Sequence, residues 1–547
     1  MGKFFTRKNL FSAFVAVVLV VGGFAGGAMA LSLGARPAHA SGLPYANYAA
    51  LVKYIQAHHK APFDHGVSFG LSQNGTQGLV NQHKSSKPIQ SGSGGTNVKV
   101  NQDRNPWPKA EIGAAVDPVT GKNYVVMTND FRENYDHQFY HVSTNGGATW
   151  TDDSMTVAND FDTFAPLNFQ SDPGVAFDGT GHSYLSNISG NVIFDFVNGY
   201  FNSDTAIEVV TGYGNGTYSS LLSTIVDYQP CNGAGSVSSC EAQLDKPLIT
   251  VDNVAGSPHK GRIYVYYTLF CNGGPGNTPC VDGTATVPAF SSAILESHAD
   301  GADLPFSTPA LVSGSLTAEQ FSSMVVDSHG VPHIFFDDFS RLYPGVSMYM
   351  STLTGSGWVV NPTPVANFEY TGMNNINWGF RDSGTVAPGC GISKDEAYCA
   401  FSSTRIGVGP ISSTPNVDLV RVNTQTGASN ISRVNNDPFG NSKHHFFPWA
   451  SAAANGSVYV GWYDDRNDSF NTKVQYFVGK STDGGVSFPT QKAVSDTSFN
   501  PCVGFPGCSF FGDYTQLVTG PDGVTHAAWS DTRDGASMQV YSQAITW

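Results

Sequence analysis

Residues Ala114–Asp130 read AAVDPVTGKNYVVMTND: an apolar run, a turn built from Asp117, Pro118 and Gly121, and a second apolar run that opens on Tyr124. Alternating apolar runs around a Gly/Asp turn predict a β-hairpin. Seven such units follow one another, with the aromatic that opens the second run at Tyr124, Tyr184, Tyr264, His333, Tyr398, Tyr459 and His526, spaced 60 to 80 residues apart. A unit of that length holds one hairpin and room for two more strands, which is the four-stranded blade of a β-propeller. The fold expected is therefore all-β with seven blades over residues 97–547. The last unit has only three strands, ending at Trp547, and Asn97-Val-Lys-Val-Asn101 ahead of the first has strand alternation. A strand borrowed from the other end of the chain would complete the final blade and remove an open sheet edge.

Composition agrees. Charged residues are 13% of the 547, about half of the usual ~25%, while Gly numbers 60 and 40% of residues are hydrophobic. The net charge of −15 argues against nucleic acid as a partner. Residues 1–40 carry Lys3, Arg7 and Lys8, an apolar run from Leu10 to Leu33 and the small-x-small site Ala38-His39-Ala40, the pattern of a secretory signal peptide. A secreted protein without membrane insertion after cleavage is expected, an uncleaved anchor being the alternative. Residues 41–96 hold a helical spacing of Tyr48, Leu51, Tyr54 and Ile55 and a Ser/Gly-rich linker from Ser85. Eight cysteines form four close pairs, Cys231/Cys240, Cys271/Cys280, Cys390/Cys399 and Cys502/Cys508. Their spacing does not match zinc, and local disulfides are expected, with Cys240–Cys271 an open alternative.

In a propeller the residues just before each first strand crowd around one mouth of the central channel. Here these include Trp107, Lys109 and Glu111; Gln170 and Asp172; Asp245 and Lys246; Glu319 and Gln320; Arg381 and Asp382; His444 and His445; Asp513 and Tyr514. Convergent polar groups of this kind mark a ligand site. Lys109, Glu111, Asp172, Asp245, Lys246, His445 and Asp513 are the expected ligand-binding set. The acidic ring of Glu111, Asp172, Asp245, Glu319 and Asp513 could hold Ca²⁺, and His444-His445 a transition metal, although no cofactor is required by the reading.

Ser143-Thr-Asn-Gly-Gly-Ala-Thr-Trp150 and Ser481-Thr-Asp-Gly-Gly-Val-Ser-Phe488 resemble the Asp-box, S-x-D-x-G-x-x-[WF], of sialidase-like (BNR-repeat) propellers. That resemblance implies an extracellular glycan as partner and a glycoside hydrolase, with six blades the alternative count. It further implies Tyr514, in Asp513-Tyr-Thr-Gln-Leu517, as nucleophile and Asp136, in Arg132-Glu-Asn-Tyr-Asp-His137, as acid/base, with Arg381 and Glu319 completing the catalytic candidates. The family's Arg-Ile-Pro signature is missing; Asn105-Pro-Trp-Pro-Lys-Ala110 stands there. Arg132, Arg341, Arg405, Arg466 and Arg533 end second strands in D-F-R, D-D-F-S-R, S-T-R, D-D-R and D-T-R. Recurrence at one place in the repeat points to a structural role. A non-catalytic propeller that binds glycan, cell-wall polymer or protein is the competing reading.

Overall fold

The computed structural model describes residues 97–547, apart from 134–135, 156–166, 168, 196–199, 213–221, 231–240, 274–276 and 303. The expectations for 1–40, 41–96 and Cys231/Cys240 lie outside the described residues. Seven antiparallel sheets follow the seven units of the repeat. Blade 1 is Lys109–Val116, Tyr124–Asp130, His137–Ser143 and Thr151–Ser154; blade 2 opens with Phe169–Phe177, blade 3 with Ala242–Val251, blade 4 with Glu319–Val326, blade 5 with Gly389–Ser393 and blade 6 with His445–Ala452. Blade 7 has Gln516–Thr519, Thr525–Asp531 and Gln539–Ile545, and its fourth strand is Val98–Lys99, paired through Val98 with Ser542 and Lys99 with Tyr541. Seven blades and the borrowed closing strand are thus as the repeat implied. Among the described residues no helix is long and apolar enough to cross a membrane.

Three disulfides are described: Cys271–Cys280, Cys390–Cys399 and Cys502–Cys508. Cys271 therefore pairs with its near neighbour and not with Cys240. Cys390 and Cys399 face each other across the first two strands of blade 5.

Two turns between third and fourth strands share one hydrogen-bond pattern. The Ser143 hydroxyl receives the Gly147 N–H at 2.8 Å and Asn145 Oδ1 receives the Thr149 N–H at 2.9 Å; Ser481 with Gly485 and Asp483 with Ser487 repeat this at 2.9 and 3.0 Å. Trp150 and Phe488 end these turns as buried plugs.

The recurrent Asp and Arg form staples in the three blades around the closure. Arg132 grips Asp130 with Nε at 2.8 Å and lies 3.9 Å over the Phe139 ring; Arg466 grips Asp464 at 2.7 Å over Phe477; Arg533 grips Asp531 at 2.6 Å over Tyr541. Each strand ends on the Asp, and the Arg stands in the turn just beyond with its backbone N–H donating to the Asp Oδ1 at 2.8 or 2.9 Å, which folds the guanidinium back onto both the carboxylate and a ring. These three arginines are spent on the fold. Arg405 pairs instead with Glu369 at 3.3 Å, and Arg341 donates to the Val346 carbonyl at 3.1 Å.

Candidate functional site: a charged cluster at the channel mouth

In five blades the first strand breaks register just after it begins, between Ala110 and Ile112, Ser171 and Gly174, Asp245 and Leu248, Gln320 and Ser322, and Phe446 and Trp449. Each break holds a non-glycine residue at positive φ: Glu111 (51°), Asp172 (59°), Lys246 (53°), Phe321 (57°) and Phe447 (50°). Such a conformation is costly for a residue with a Cβ, and a bulge re-aims the side chain that sits on it. In blades 1 to 3 the re-aimed side chains are charged, and they meet.

Lys246 Nζ lies 3.4 Å from Glu111 Oε1, 2.9 Å from Asp172 Oδ1 and 2.9 Å from Asp513 Oδ2. Arg381 closes the cluster from the connector before blade 5, placing Nε 2.8 Å from Asp513 Oδ1 and Nη2 2.5 Å from Oδ2. That connector runs hard against blade 7: a Cβ added at Gly384 would stand 2.2 Å from the Asp513 carbonyl oxygen, so only glycine permits the approach. Asn129 buttresses the charges, donating to Glu111 Oε2 at 2.7 Å and accepting the Asp172 N–H at 3.0 Å. Gln320 donates to Asp245 Oδ2 at 2.7 Å. The ring of Tyr514 lies 5.5 Å from Lys246 Nζ, and its hydroxyl donates to the Pro173 carbonyl at 3.5 Å.

The carboxyl groups fall into two protonation classes. Burial drives Glu111 well above the usual carboxylate range and Asp245 up to about 7, and both hydrogen-bond Asp172. Burial acts on Asp172 too, but the Lys246 charge and these hydrogen bonds outweigh it and bring Asp172 down to about 2. Asp513 is likewise lowered, burial being overcome by Arg381 and Lys246. Asp172 and Asp513 therefore carry the charge that faces Lys246 and Arg381, while Glu111 keeps its proton and Asp245 titrates near neutrality. Burial, with the surrounding carboxylates, raises the Tyr514 phenol well above its ordinary value, so it stays neutral.

Asp136 adjoins this cluster at the junction of blades 1 and 2, where its carbonyl accepts the Gln170 N–H at 3.1 Å. It is 3% exposed, its Oδ1 has no hydrogen-bond partner, and burial, only partly offset by the Ser171 hydroxyl, holds its carboxyl well above the usual range. An acid of this kind keeps its proton at neutral pH.

Three candidates stand elsewhere. Lys109 is fully buried and its ammonium goes to Asp103 Oδ2 at 3.0 Å and the carbonyls of Trp107 and Asn105 at 2.9 and 3.3 Å. Lys109 and Glu111 would share a face of a regular strand, and the bulge between them is what separates them. His445 is drawn between blades by Asp437 at 3.2 Å and Asp464 at 3.5 Å, while His444 bonds Asp465 at 2.7 Å. Glu319 is buried with Oε1 accepting the Ala318 N–H at 3.0 Å, and burial pushes its carboxyl up to about 9. The expected acidic ring is thus not a ring: the Lys246 ammonium stands among three of its members and Glu319 is apart. Among the described residues no group of three or more His, Cys, Asp or Glu is arranged to hold a metal.

Sequence reasoning passed over Asn129, Ser171 and Pro173. Asn129 carries a signal, standing in Thr-Asn-Asp at the end of a second strand just before a staple. Beside Arg381, a cleft of 360 Å³ is lined by Met373, Asn374, Asn375, Ile376, Trp378, Phe380 and Asp382.

No protein-family model matches the chain, and no curated protein matches it. Among solved structures it is similar to a Hadza microbial sialidase at 11% identity, over 82% of this chain and 92% of that one, with a TM-score of 0.41. A GH93 α-L-arabinofuranosidase of Fusarium graminearum matches at 12% identity over 82% and 97%, TM-score 0.38, and the NanB sialidase from Streptococcus pneumoniae at 10% over 82% and 70%, TM-score 0.37. The fold itself is read from the chain's own sheets, which make it an all-β propeller of seven blades. No residue role passes from these structures to this chain.

Proposed function

We propose that the protein is secreted and acts on an extracellular glycan as a glycoside hydrolase at the mouth formed by blades 1 to 3 and 7. The observation that carries this reading is the pairing of a buried, proton-holding Asp136 with the ionised Asp172 of the neighbouring strand. Two carboxyl groups pushed apart in pKa are what glycosidic cleavage uses. Asp136 donates its proton to the leaving oxygen. Tyr514 attacks the anomeric carbon as the bond to the leaving group breaks, its phenol proton passing to Asp172, the carboxylate whose charge weighs most on it, while Asp513 steadies the positive charge that grows on the sugar ring. Water then cleaves the glycosyl–tyrosine bond, giving a proton to Asp136, and the phenol recovers its own from Asp172. Three disulfides support an oxidising, extracellular setting.

Asp136→Asn should lower turnover of a chromogenic glycoside by roughly 10²–10⁴-fold, and Tyr514→Phe should abolish it, both with unchanged unfolding curves. Full activity in Tyr514→Phe removes the tyrosine mechanism, full activity in Asp136→Asn removes Asp136 as the acid, and no turnover of any glycoside by the unaltered protein removes the hydrolytic reading. The second reading, a propeller that binds a glycan without cleaving it, is favoured by one feature: the described partner of the Tyr514 hydroxyl is a carbonyl oxygen, not a base.

A further inference from the structure

We propose that the glycan taken at this mouth is uncharged. The inference rests on the functional reading above and narrows it to a substrate class.

Sugars that carry a carboxylate or sulfate are held by guanidinium or ammonium groups whose N–H bonds point at the anion. Among the described residues two cations reach the cluster, and both are turned toward its own carboxyl groups. Lys246 is met by Glu111, Asp172 and Asp513 at 3.4, 2.9 and 2.9 Å, enough for its three N–H donors. Arg381 faces Asp513 with Nε and Nη2. The third cation expected there, Lys109, is buried against Asp103 and two carbonyls. Arg104 is exposed on the connector before blade 1, outside the cluster.

An anionic sugar would have to displace one of these carboxylates from a buried ion pair, and would face the remaining ones with nothing to offset the repulsion. A neutral sugar meets the same groups on favourable terms. Its hydroxyls donate to carboxylate oxygens and accept from the protonated Asp136, whose Oδ1 is buried and without a hydrogen-bond partner. The cleft beyond Arg381 has the same character. Its lining is asparagine and apolar side chains, and its single charged group is again a carboxylate, Asp382.

The test uses the secreted protein on two matched panels. Binding is measured to immobilised neutral disaccharides (arabinobiose, lactose, cellobiose, mannobiose) and to anionic probes (3′-sialyllactose, digalacturonate). Turnover is measured on the nitrophenyl glycosides of the neutral sugars and on a methylumbelliferyl α-sialoside. At least one neutral probe should bind tenfold or more tightly than either anionic one, with an affinity unchanged between about 20 and about 500 mM NaCl, since no charge pair forms across the interface. Preferential, salt-sensitive binding of an anionic probe overturns the inference, as does failure of every neutral probe to bind. Neutral binding without turnover leaves the inference standing and overturns the hydrolase. Turnover of the sialoside does the reverse.

Discussion

Blades 1 to 3 and blades 4 and 6 bend their first strands with the same bulge and the same positive φ, yet fill it oppositely. Glu111, Asp172 and Lys246 turn charge into the channel mouth, while Phe321 and Phe447 turn aromatic rings into packing. Around Phe447 the rings form a continuous cluster: Phe446 to Tyr463 at 5.1 Å, Tyr463 to Phe511 at 5.0 Å, Phe380 to Phe511 at 5.6 Å. One side of the channel is thus electrostatic and the other hydrophobic, on one backbone scaffold. A repeated backbone device fixes where a side chain goes, and the residue type alone decides whether that place does chemistry or holds the ring of blades together.

The widest gap between the two sides is expected from removing one charge. Lys246→Ala leaves Asp172 and Asp513 buried with half of their counter-charge, and should cost about 3–5 kcal/mol in urea unfolding at neutral pH. That cost should shrink as pH falls and the carboxylates protonate. A penalty that stays flat with pH would break the electrostatic account of this side.

A smaller effect comes from pH alone. Asp172 titrates lower folded than unfolded, so its contribution is complete above about pH 4 and is lost as pH falls toward 2. Glu111 and Asp245 titrate higher folded than unfolded, so their protonated forms favour the fold, and stability declines as pH rises from about 4 through 7. The melting temperature should peak in mild acid, and Asp245→Asn should flatten the slope above the peak. An unaltered slope in that variant would assign the decline to other groups.

The smallest effect belongs to the aromatic side. Phe447→Leu keeps an apolar side chain of similar size and should cost about 1 kcal/mol, with no dependence on pH. A pH-dependent loss there would show that the two sides are coupled and not independent.

Much of the architecture was legible because it is periodic. Tyr124 through His526 mark second strands in all seven blades, and the short last unit with Asn97–Asn101 foretold the closure. The mouth was legible only as a neighbourhood. Alternation places Lys109 with Glu111, and nothing in Lys-Ala-Glu-Ile signals a bulge, since non-glycine residues leave no mark of positive φ in the sequence. His445 and Glu319 stand two residues ahead of their bulges, and their side chains meet Asp437 and Asp464 and the Ala318 N–H instead of the Lys246 cluster. The Lys246 cage was hidden because its three partners come from blades 1, 2 and 7, and only tertiary structure brings residues 111, 172, 246 and 513 together. The Asp–Arg staples, by contrast, needed only local spacing, and their structural role was visible at once.

Closure through Val98–Lys99 has a consequence for how this molecule comes into being. The strand that completes blade 7, Val98–Lys99, is made long before its partner, Gln539–Ile545, emerges. Until then blade 7 lacks its outer strand and the first and last blades cannot be clasped. Pairing across so long a stretch of chain carries a large loop-closure cost and is slow. The ring is therefore closed only once Gln539–Ile545 has emerged, and the Lys246 cage, which needs Asp513 beside Glu111, is completed late with it. The charge cluster at the mouth is assembled by the same event that seals the circle.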